Sequence, residues 1–204
     1  GIARSADGRP LASPEVSQVV NLPSKADGTD ANVQMRGVGD EGWEVRPHMR
    51  LVQGRRFERG LREIVVGQGV SAQYRGVEVG KTLRLGNEDW TVVGVFASGD
   101  SHDSEMWTDA QTLASFYRRP AYQSVTVRLD GKDGFAQLKA ALDDDPRLKL
   151  DALTTSDYYT RQSSGTTTLI RVLGTVIGAI MAIGAVFGAL NTMYAAVATR
   201  AREI

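Results

Sequence analysis

Hydrophobic and polar residues alternate in several short segments of the first 150 residues, a pattern typical of half-buried β-strands. The predicted strands are 16–22, 32–38, 81–85, 90–96, 105–107, 124–129 and 148–153. A further segment, 63–66, is apolar at nearly every position, as expected of a strand buried on both faces. Gly86-Asn87 separates two of the alternating segments and predicts a tight hairpin.

Helical periodicity is confined to three short stretches in this part of the chain. Residues 70–74 form one of them, and a second runs to about residue 117 behind Asp109, which we expect to cap it. The third opens at Asp133 or Gly134 and is amphipathic. Residues 42–57 show no clear period and are predicted to be irregular. The pattern therefore predicts an α+β domain with seven or eight short strands and three short helices.

The character of the chain changes after this domain. A capped helix is expected to begin near Thr155 or Ser156 and to continue into 172–199, where no Asp, Glu, Lys, Arg or His occurs. That uncharged stretch would measure roughly 40 Å as a helix, while a bilayer core of about 30 Å needs only about 20 apolar residues. A buried helix of a soluble protein rarely runs so far without a charge, so we predict a transmembrane helix.

Small residues recur along the predicted transmembrane helix at a spacing that favours helix packing. Gly174 and Gly178 form one G-x-x-x-G step, and Gly184 and Gly188 form another. Asn191 adds a polar group at membrane depth, where it needs a partner. These residues predict a helix that packs against other helices and does more than anchor the chain.

Charge and cysteine content exclude several classes of function. The chain carries 24 Lys and Arg against 24 Asp and Glu, so it has no overall positive field to attract nucleic acid. It contains no cysteine, which excludes disulfides and thiolate metal sites.

The residues on either side of the apolar helix predict how it is oriented across the membrane. Arg200 and Arg202 lie on its C-terminal side, while the large domain with its acidic residues lies on the N-terminal side, beyond Arg161 and Arg171. We expect the C-terminus in the cytoplasm and the domain outside. The chain starts at Gly1 and stops at Ile204 directly after the apolar helix, so we expect a fragment of a longer protein.

Two groups of residues partly resemble known kinds of binding site. Residues 76–82 (GVEVGKT) approach a phosphate-binding loop, but one residue is missing between the glycines and a strand follows where the motif requires a helix. Asp100, His102, Asp103 and Glu105 match no metal-ligand spacing, and we interpret them as a solvated polar loop. His48 is interpreted as structural. With no catalytic constellation, no cofactor and no metal site predicted, the chain is not expected to be an enzyme.

Several sequence phrases together resemble MacB/FtsX-type ABC-transporter permeases. The apolar helix ends in NTMYAAV at 191–197, followed by RAREI at 200–204, as in the second transmembrane segment of that family. Upstream, four phrases are similar to landmarks of the family's periplasmic core domain, in the same order: GRRF at 54–57, EIVVG at 63–67, VGKTL at 79–83 and WTVVGVF at 90–96.

The resemblance implies an architecture and a set of partners. It implies an extracytoplasmic MacB-like core domain at 1–154, a stalk helix at 155–171, a transmembrane helix at 172–199 and the start of a cytoplasmic coupling segment at 200–204. Membrane lipid and a second permease copy or paralogue would surround the helix. Arg200, Arg202, Glu203 and Ile204 would lead to a cytoplasmic ABC ATPase, which would hold the ATP and Mg²⁺.

The resemblance also implies a function by mechanotransmission. Helix movements driven by the ATPase would reach the domain, which would act on a substrate or an extracytoplasmic partner protein. The permease would lie in a bacterial inner membrane, with this domain in the periplasm. Export, lipoprotein release and cell-wall regulation all occur in the family, and the sequence does not choose among them. The alternative is a single-pass membrane-anchored binding or adaptor module without ATPase coupling.

Overall fold

The computed structural model of the chain describes residues 1–145, 147–148 and 150–200. It divides the chain into two compact units, Gly1–Ala141 and Leu142–Ile204. The strands of the first unit are β1 (Ala12–Pro23), β2 (Asp30–Val38), β3 (Arg50–Gly54), β4 (Glu63–Gly67), β5 (Thr82–Leu85), β6 (Glu88–Ala97), β7 (Glu105–Asp109) and β8 (Ser124–Val127). The helices are α1 (Gly42–Val45), α2 (Gln68–Gln73), α3 (Ala110–Phe116), α4 (Gly134–Asp143) and α5 (Thr155–Arg200).

The eight strands form one mixed sheet in the order β3-β6-β4-β7-β2-β1-β8, with β5 paired to β6 beside this path. The pairs β2–β7 and β4–β6 are parallel, whereas β1–β2, β4–β7, β3–β6, β5–β6 and β1–β8 are antiparallel. The fold class is therefore the predicted α+β arrangement. Mixed pairing places strands that are distant in sequence side by side, which the strand pattern alone does not reveal.

Both hairpins follow from local sequence. β1 and β2 pair from Val16↔Gly37 to Pro23↔Asp30. β5 and β6 pair up to Leu85↔Glu88, which leaves Gly86-Asn87 as the two-residue turn. Gly86 adopts φ +58, a left-handed conformation that glycine reaches without steric cost.

The centre of the sheet is buried on both faces. All five residues of β4 are buried, and alternate side chains enter different cores: Ile64 and Val66 join one cluster, while Val65 joins the other. The first cluster includes Val70 of α2 and Leu113 of α3, which cover that face of the sheet. This explains why 63–66 reads as a continuous apolar run rather than as an alternating strand.

The second face is covered by an aromatic cluster. Trp43 of α1 meets Phe96 and Trp107 with ring centroids 5.9 and 5.5 Å apart, and Phe96 lies 5.2 Å from Trp107. All three rings are buried. The two contacts of Trp43 are edge-to-face, and contacts of that kind add about 0.5–1.5 kcal/mol per pair beyond the area that they bury.

Two predictions of local structure are wrong. Residues 42–57 are not irregular, because they contain α1 and the edge strand β3. A strand at 148–153 is not found among the described residues of that segment, where Leu148 and Leu150 are 44% and 61% exposed. Alternation specifies which side chains share a face, but a strand also needs a neighbouring strand to pair with and a surface to cover. The other predicted strands and helices agree with the structure to within a few residues at their ends.

In the second unit, α5 is one continuous helix of 46 residues, Thr155–Arg200. It spans about 69 Å at about 1.5 Å per residue. Thr154 caps its start, because the Thr154 hydroxyl accepts a hydrogen bond from the Asp157 N–H at 3.1 Å and donates one to the Asp157 carboxylate at 2.7 Å.

Candidate functional site

The segment Ile170–Tyr194 of α5 is long and apolar enough to cross a membrane. It has 25 residues and a mean hydropathy of 2.2, and none of it is buried within the described structure. Large side chains such as Ile180 and Phe187 are 65% and 67% exposed. Exposure of this much apolar surface is unfavourable in water, so the helix needs lipid or other helices around it.

The small residues predicted for helix packing lie on one side of this helix. At about 100° of rotation per residue, Gly174, Gly178, Gly184, Gly188 and Asn191 fall within an arc of about 140°. No heavy atom lies within 4 Å of the position that a Cβ would take at any of the four glycines. The glycine side is therefore open to a neighbouring helix. No contact in the structure tests the predicted packing role.

Bulky side chains occupy the other side of the helix. At the same rotation per residue, Val176, Ile183, Phe187 and Tyr194 lie within an arc of about 40° opposite the glycines. All four are more than half exposed. The glycines allow close helix contact on their side, which also carries Ile177 and Met181, and the opposite, bulky side suits lipid.

Of the four predicted coupling residues, only Arg200 belongs to the part of the chain that the structure describes. Arg200 is the last residue of α5, and nothing is described of its side chain. Arg202, Glu203 and Ile204 lie outside the described residues. Their role in contacting an ATPase stays a prediction.

The first unit contains a buried ionic cluster that the sequence did not indicate. Arg36 of β2 donates to both oxygens of Glu105 of β7, at 2.7 and 2.6 Å, and to Glu15 of β1 at 3.0 Å. Arg46 lies 2.8 Å from the other Glu15 oxygen. Trp107 donates its indole N–H to Glu105 at 3.0 Å. The cluster joins three neighbouring strands on the aromatic face of the sheet.

Electrostatics keep Arg36 charged. Burial alone would lower the pKa of Arg36, but its hydrogen bonds and charge interactions with Glu105 and Glu15 outweigh burial and raise that pKa above its usual value. A buried ion pair contributes little net stability, yet loss of one partner leaves an uncompensated charge. Because its members come from three neighbouring strands and from Arg46, we assign the cluster a structural role.

The phosphate-loop-like segment is a turn that leads into a strand. Gly80 adopts φ +89, and β5 begins at Thr82, where a phosphate-binding loop would start a helix. This geometry agrees with the sequence interpretation.

The polar residues near position 100 are arranged differently from the prediction. Glu105 points into the ionic cluster, and Asp103 accepts hydrogen bonds from the backbone N–H groups of Ser98 and Gly99 at 2.7 and 3.1 Å. The segment Ser101–Ser104 is a 3₁₀ helix in which His102 is buried. The interpretation as a solvated loop is therefore wrong for His102 and Glu105, which are buried, whereas Asp100 is exposed.

His48 joins this loop from another part of the chain. Its Nε2 atom lies 3.2 Å from Oδ2 of Asp100, while Nδ1 of His102 lies 2.7 Å from Oδ1 of the same carboxylate. Burial opposes ionisation of Asp100, but hydrogen bonds from Ser98 and His102 outweigh it and lower the Asp100 pKa. The interpretation of His48 as an isolated structural residue missed this contact. Spacing along the sequence carried no sign of it.

A wide groove of about 900 Å³ lies beside α3. Its lining includes Arg62, Glu88, Gln111, Phe116 and Arg118. Arg62 and Glu88 form an ion pair at 3.3 Å across part of it. Polar side chains and the Phe116 ring both line the groove.

Comparisons with known proteins agree with the architecture of the first unit. A family model described as "MacB-like periplasmic core domain" matches residues 4–145. The periplasmic region of MacB from Actinobacillus actinomycetemcomitans is similar in structure, with a TM-score of 0.51 and 16% identity over 65% of this chain and 64% of that one. The extracellular domain of the noncanonic ABC-type transporter YknZ from Gram-positive bacteria has a TM-score of 0.52 and 19% identity, covering 73% and 79%.

These likenesses concern the fold. The chain spans 64% of the length of the MacB periplasmic region that it matches. Among the curated proteins no match is found.

Proposed function

The chain belongs to the MacB-like periplasmic core domain family of ABC-transporter permeases, and from that premise we propose that it couples a cytoplasmic ATPase to work outside the membrane. In this function α5 carries movement across the bilayer to the domain. The permease segment itself hydrolyses nothing. ATP and Mg²⁺ bind to a separate ABC ATPase, and the domain acts on a substrate or partner protein.

One observation carries the proposal: an apolar segment of membrane-spanning length lies within a long helix that begins shortly after the family domain and extends well beyond the apolar part. The family match ends at residue 145, α5 starts at Thr155, and the apolar segment Ile170–Tyr194 lies within the same helix. An anchor needs only the apolar part. A continuous helix that extends about 22 Å before the apolar segment can also transmit a shift or a rotation, because its backbone hydrogen bonds resist bending.

The two sides of α5 support an assembly of several helices. The glycine side allows close approach of another transmembrane helix, from the same permease or from a second copy or paralogue. Asn191 would find its hydrogen-bonding partner at that contact. The C-terminal end of α5 would then lie in the cytoplasm, next to the ATPase.

The proposal is tested by breaking the helix between domain and membrane. Gly165 lies inside α5, before the apolar segment. Gly165→Pro removes a backbone hydrogen bond and kinks the helix, at a cost of about 3 kcal/mol, while Gly165→Ala favours the helix by up to about 1 kcal/mol. Both variants are made in the full-length permease with its ATPase, reconstituted in nanodiscs.

The measurements are the ATPase rate and a distance between spin labels on the domains of a permease pair, with and without ATP. We expect the Pro variant to retain membrane insertion but to lose the ATP-dependent distance change, while the Ala variant keeps it. An unchanged response in the Pro variant overturns mechanical coupling through α5. A full-length protein that neither binds nor stimulates an ABC ATPase supports the alternative, a membrane-anchored adaptor module.

A further inference from the structure

We propose that His48, Asp100 and His102 bind one divalent transition-metal ion of the Zn²⁺ class on the surface of the extracytoplasmic domain. These three residues offer ligand atoms that all lie within 4.8 Å of one another. The chain contains only two histidines, 54 positions apart, and the fold brings both to the same carboxylate. This site is separate from the helix function proposed above.

The three side chains lie close enough to bind one ion after small adjustments. Zn²⁺ binds imidazole nitrogen and carboxylate oxygen at about 2.0–2.2 Å, so two ligand atoms on one ion lie about 3.3 Å apart. His48 Nε2 and Asp100 Oδ2 are already 3.2 Å apart. His102 Nδ1 lies 2.7 Å from the other carboxylate oxygen, Oδ1, and would exchange that hydrogen bond for a bond to the ion. Each neutral imidazole would carry its proton on the other ring nitrogen.

The ligands are held in place by their surroundings. The Asp100 carboxylate accepts hydrogen bonds from the Ser98 hydroxyl at 2.7 Å and from the His102 N–H at 2.9 Å. The Asp103 carboxylate holds the turn that precedes Asp100, through the N–H groups of Ser98 and Gly99. The ring of His102 packs edge-on against Trp107, with the centroids 5.8 Å apart. Such supporting contacts fix ligand orientation and raise metal affinity.

The site is open on one side. The His102 side chain is only 6% exposed, whereas those of His48 and Asp100 are 49% and 42% exposed. An ion can therefore enter from solvent, and water can supply the fourth ligand. Two imidazoles and one carboxylate favour Zn²⁺, Co²⁺, Ni²⁺ or Cu²⁺ over Mg²⁺ and Ca²⁺, which prefer oxygen ligands alone.

The test is a titration of the full 204-residue chain, purified in detergent without a polyhistidine tag. Zn²⁺ is added at pH 7.5 in a calorimeter, and Co²⁺ is added in parallel while its visible d–d absorption is recorded. We expect one Zn²⁺ per chain, a Co²⁺ spectrum of tetrahedral type, and no binding of Mg²⁺ at the same concentration.

Two variants distinguish binding at these three residues from binding elsewhere on the chain. His48→Ala removes an exposed ligand without disturbing a core, and it should weaken Zn²⁺ binding about tenfold or more. Asp144→Asn tests the exposed acidic run at 143–145, the main rival for a surface cation, and it should bind like the parent. Circular dichroism confirms that both variants are folded.

Three results would each overturn the proposal. They are an absence of Zn²⁺ binding by the parent chain, His48→Ala binding as tightly as the parent, and loss of binding in Asp144→Asn. In the first case the Asp100 carboxylate serves only as a hydrogen-bonded cap between two histidines. In the third case the acidic run is the cation-binding surface.

Discussion

The sheet domain buries its large apolar side chains, whereas the long helix exposes them. In the domain, Phe96 is fully buried between Trp43 and Trp107. In α5, Phe187 is 67% exposed, and most of the other large apolar side chains of the helix are exposed as well. The domain completes its own core, while the apolar helix depends on lipid or on other helices for the same purpose.

The two regions also differ in the partners that their polar groups bind. The domain buries Glu15, Arg36 and Glu105 and pairs them with one another. In the apolar helix, Thr175 and Thr192 donate their hydroxyls to backbone oxygens four residues earlier, at 2.9 Å in each case. These two helix hydroxyls are satisfied locally, whereas the ionic groups of the domain are satisfied through tertiary contacts. Domain stability and helix assembly should therefore respond to different substitutions.

The largest effect is expected from matched phenylalanine substitutions. Phe96→Ala should lower the free energy of unfolding of the domain by about 3–5 kcal/mol, because it leaves a cavity in the aromatic cluster. Phe187→Ala should leave domain unfolding unchanged, since that side chain lies outside the domain core. Chemical denaturation followed by tryptophan fluorescence measures both. Equal losses in the two variants would contradict the separation of the two regions.

The buried ionic cluster should be nearly as sensitive. Arg36→Ala removes the cation that neutralises Glu15 and Glu105 and should cost about 3–5 kcal/mol in the same denaturation experiment. The matched control is Arg147→Ala, which removes the exposed ion pair with Asp145 and should cause no measurable change. If Arg36→Ala is as stable as the parent, the cluster does not hold the strands together.

A smaller effect is expected on the helix side of the comparison. Gly184→Leu or Gly188→Leu places a bulky side chain on the glycine side of α5 and should weaken helix association about tenfold, or about 1.4 kcal/mol. Ile183→Leu on the opposite side is the control and should assemble normally. Crosslinking of the full-length permease, together with ATPase stimulation, measures the effect. Unchanged assembly in both glycine variants would remove the packing role of these residues.

The smallest expected effect is a dependence of domain stability on pH. Glu63 accepts two hydrogen bonds from Arg55, which lower its pKa below the ordinary value of 4.5. A carboxylate with a lower pKa in the folded state stabilises it above pH 4.5, and this contribution is lost as the pH falls through the folded-state pKa. We expect Tm to drop as the pH falls below about 4.5, and to drop less in Glu63→Gln. An identical pH profile in that variant would exclude Glu63 as a cause.

Much of the architecture could be predicted from the sequence. The β5–β6 hairpin follows from Gly86-Asn87, the N-cap at Asp109 is confirmed by its 2.8 Å hydrogen bond to the Thr112 N–H, and α5 begins at the predicted residue Thr155. These features are set by contacts within a few residues, so the local sequence contains the information. The strand predicted at 148–153 failed because its existence depends on a neighbour, which alternation does not specify.

By itself, the sequence determined the elements whose physics is local: the hairpins, the capped helices and an apolar segment long enough for a membrane. Only the tertiary structure decided which distant residues meet. The mixed sheet places Arg36 beside Glu15 and Glu105, and the packing of the loop before β3 brings His48 to Asp100 and His102. Hydrophobic periodicity reports which face of an element is buried, but the partner across that face depends on strand order and register, and these are fixed when the whole chain folds.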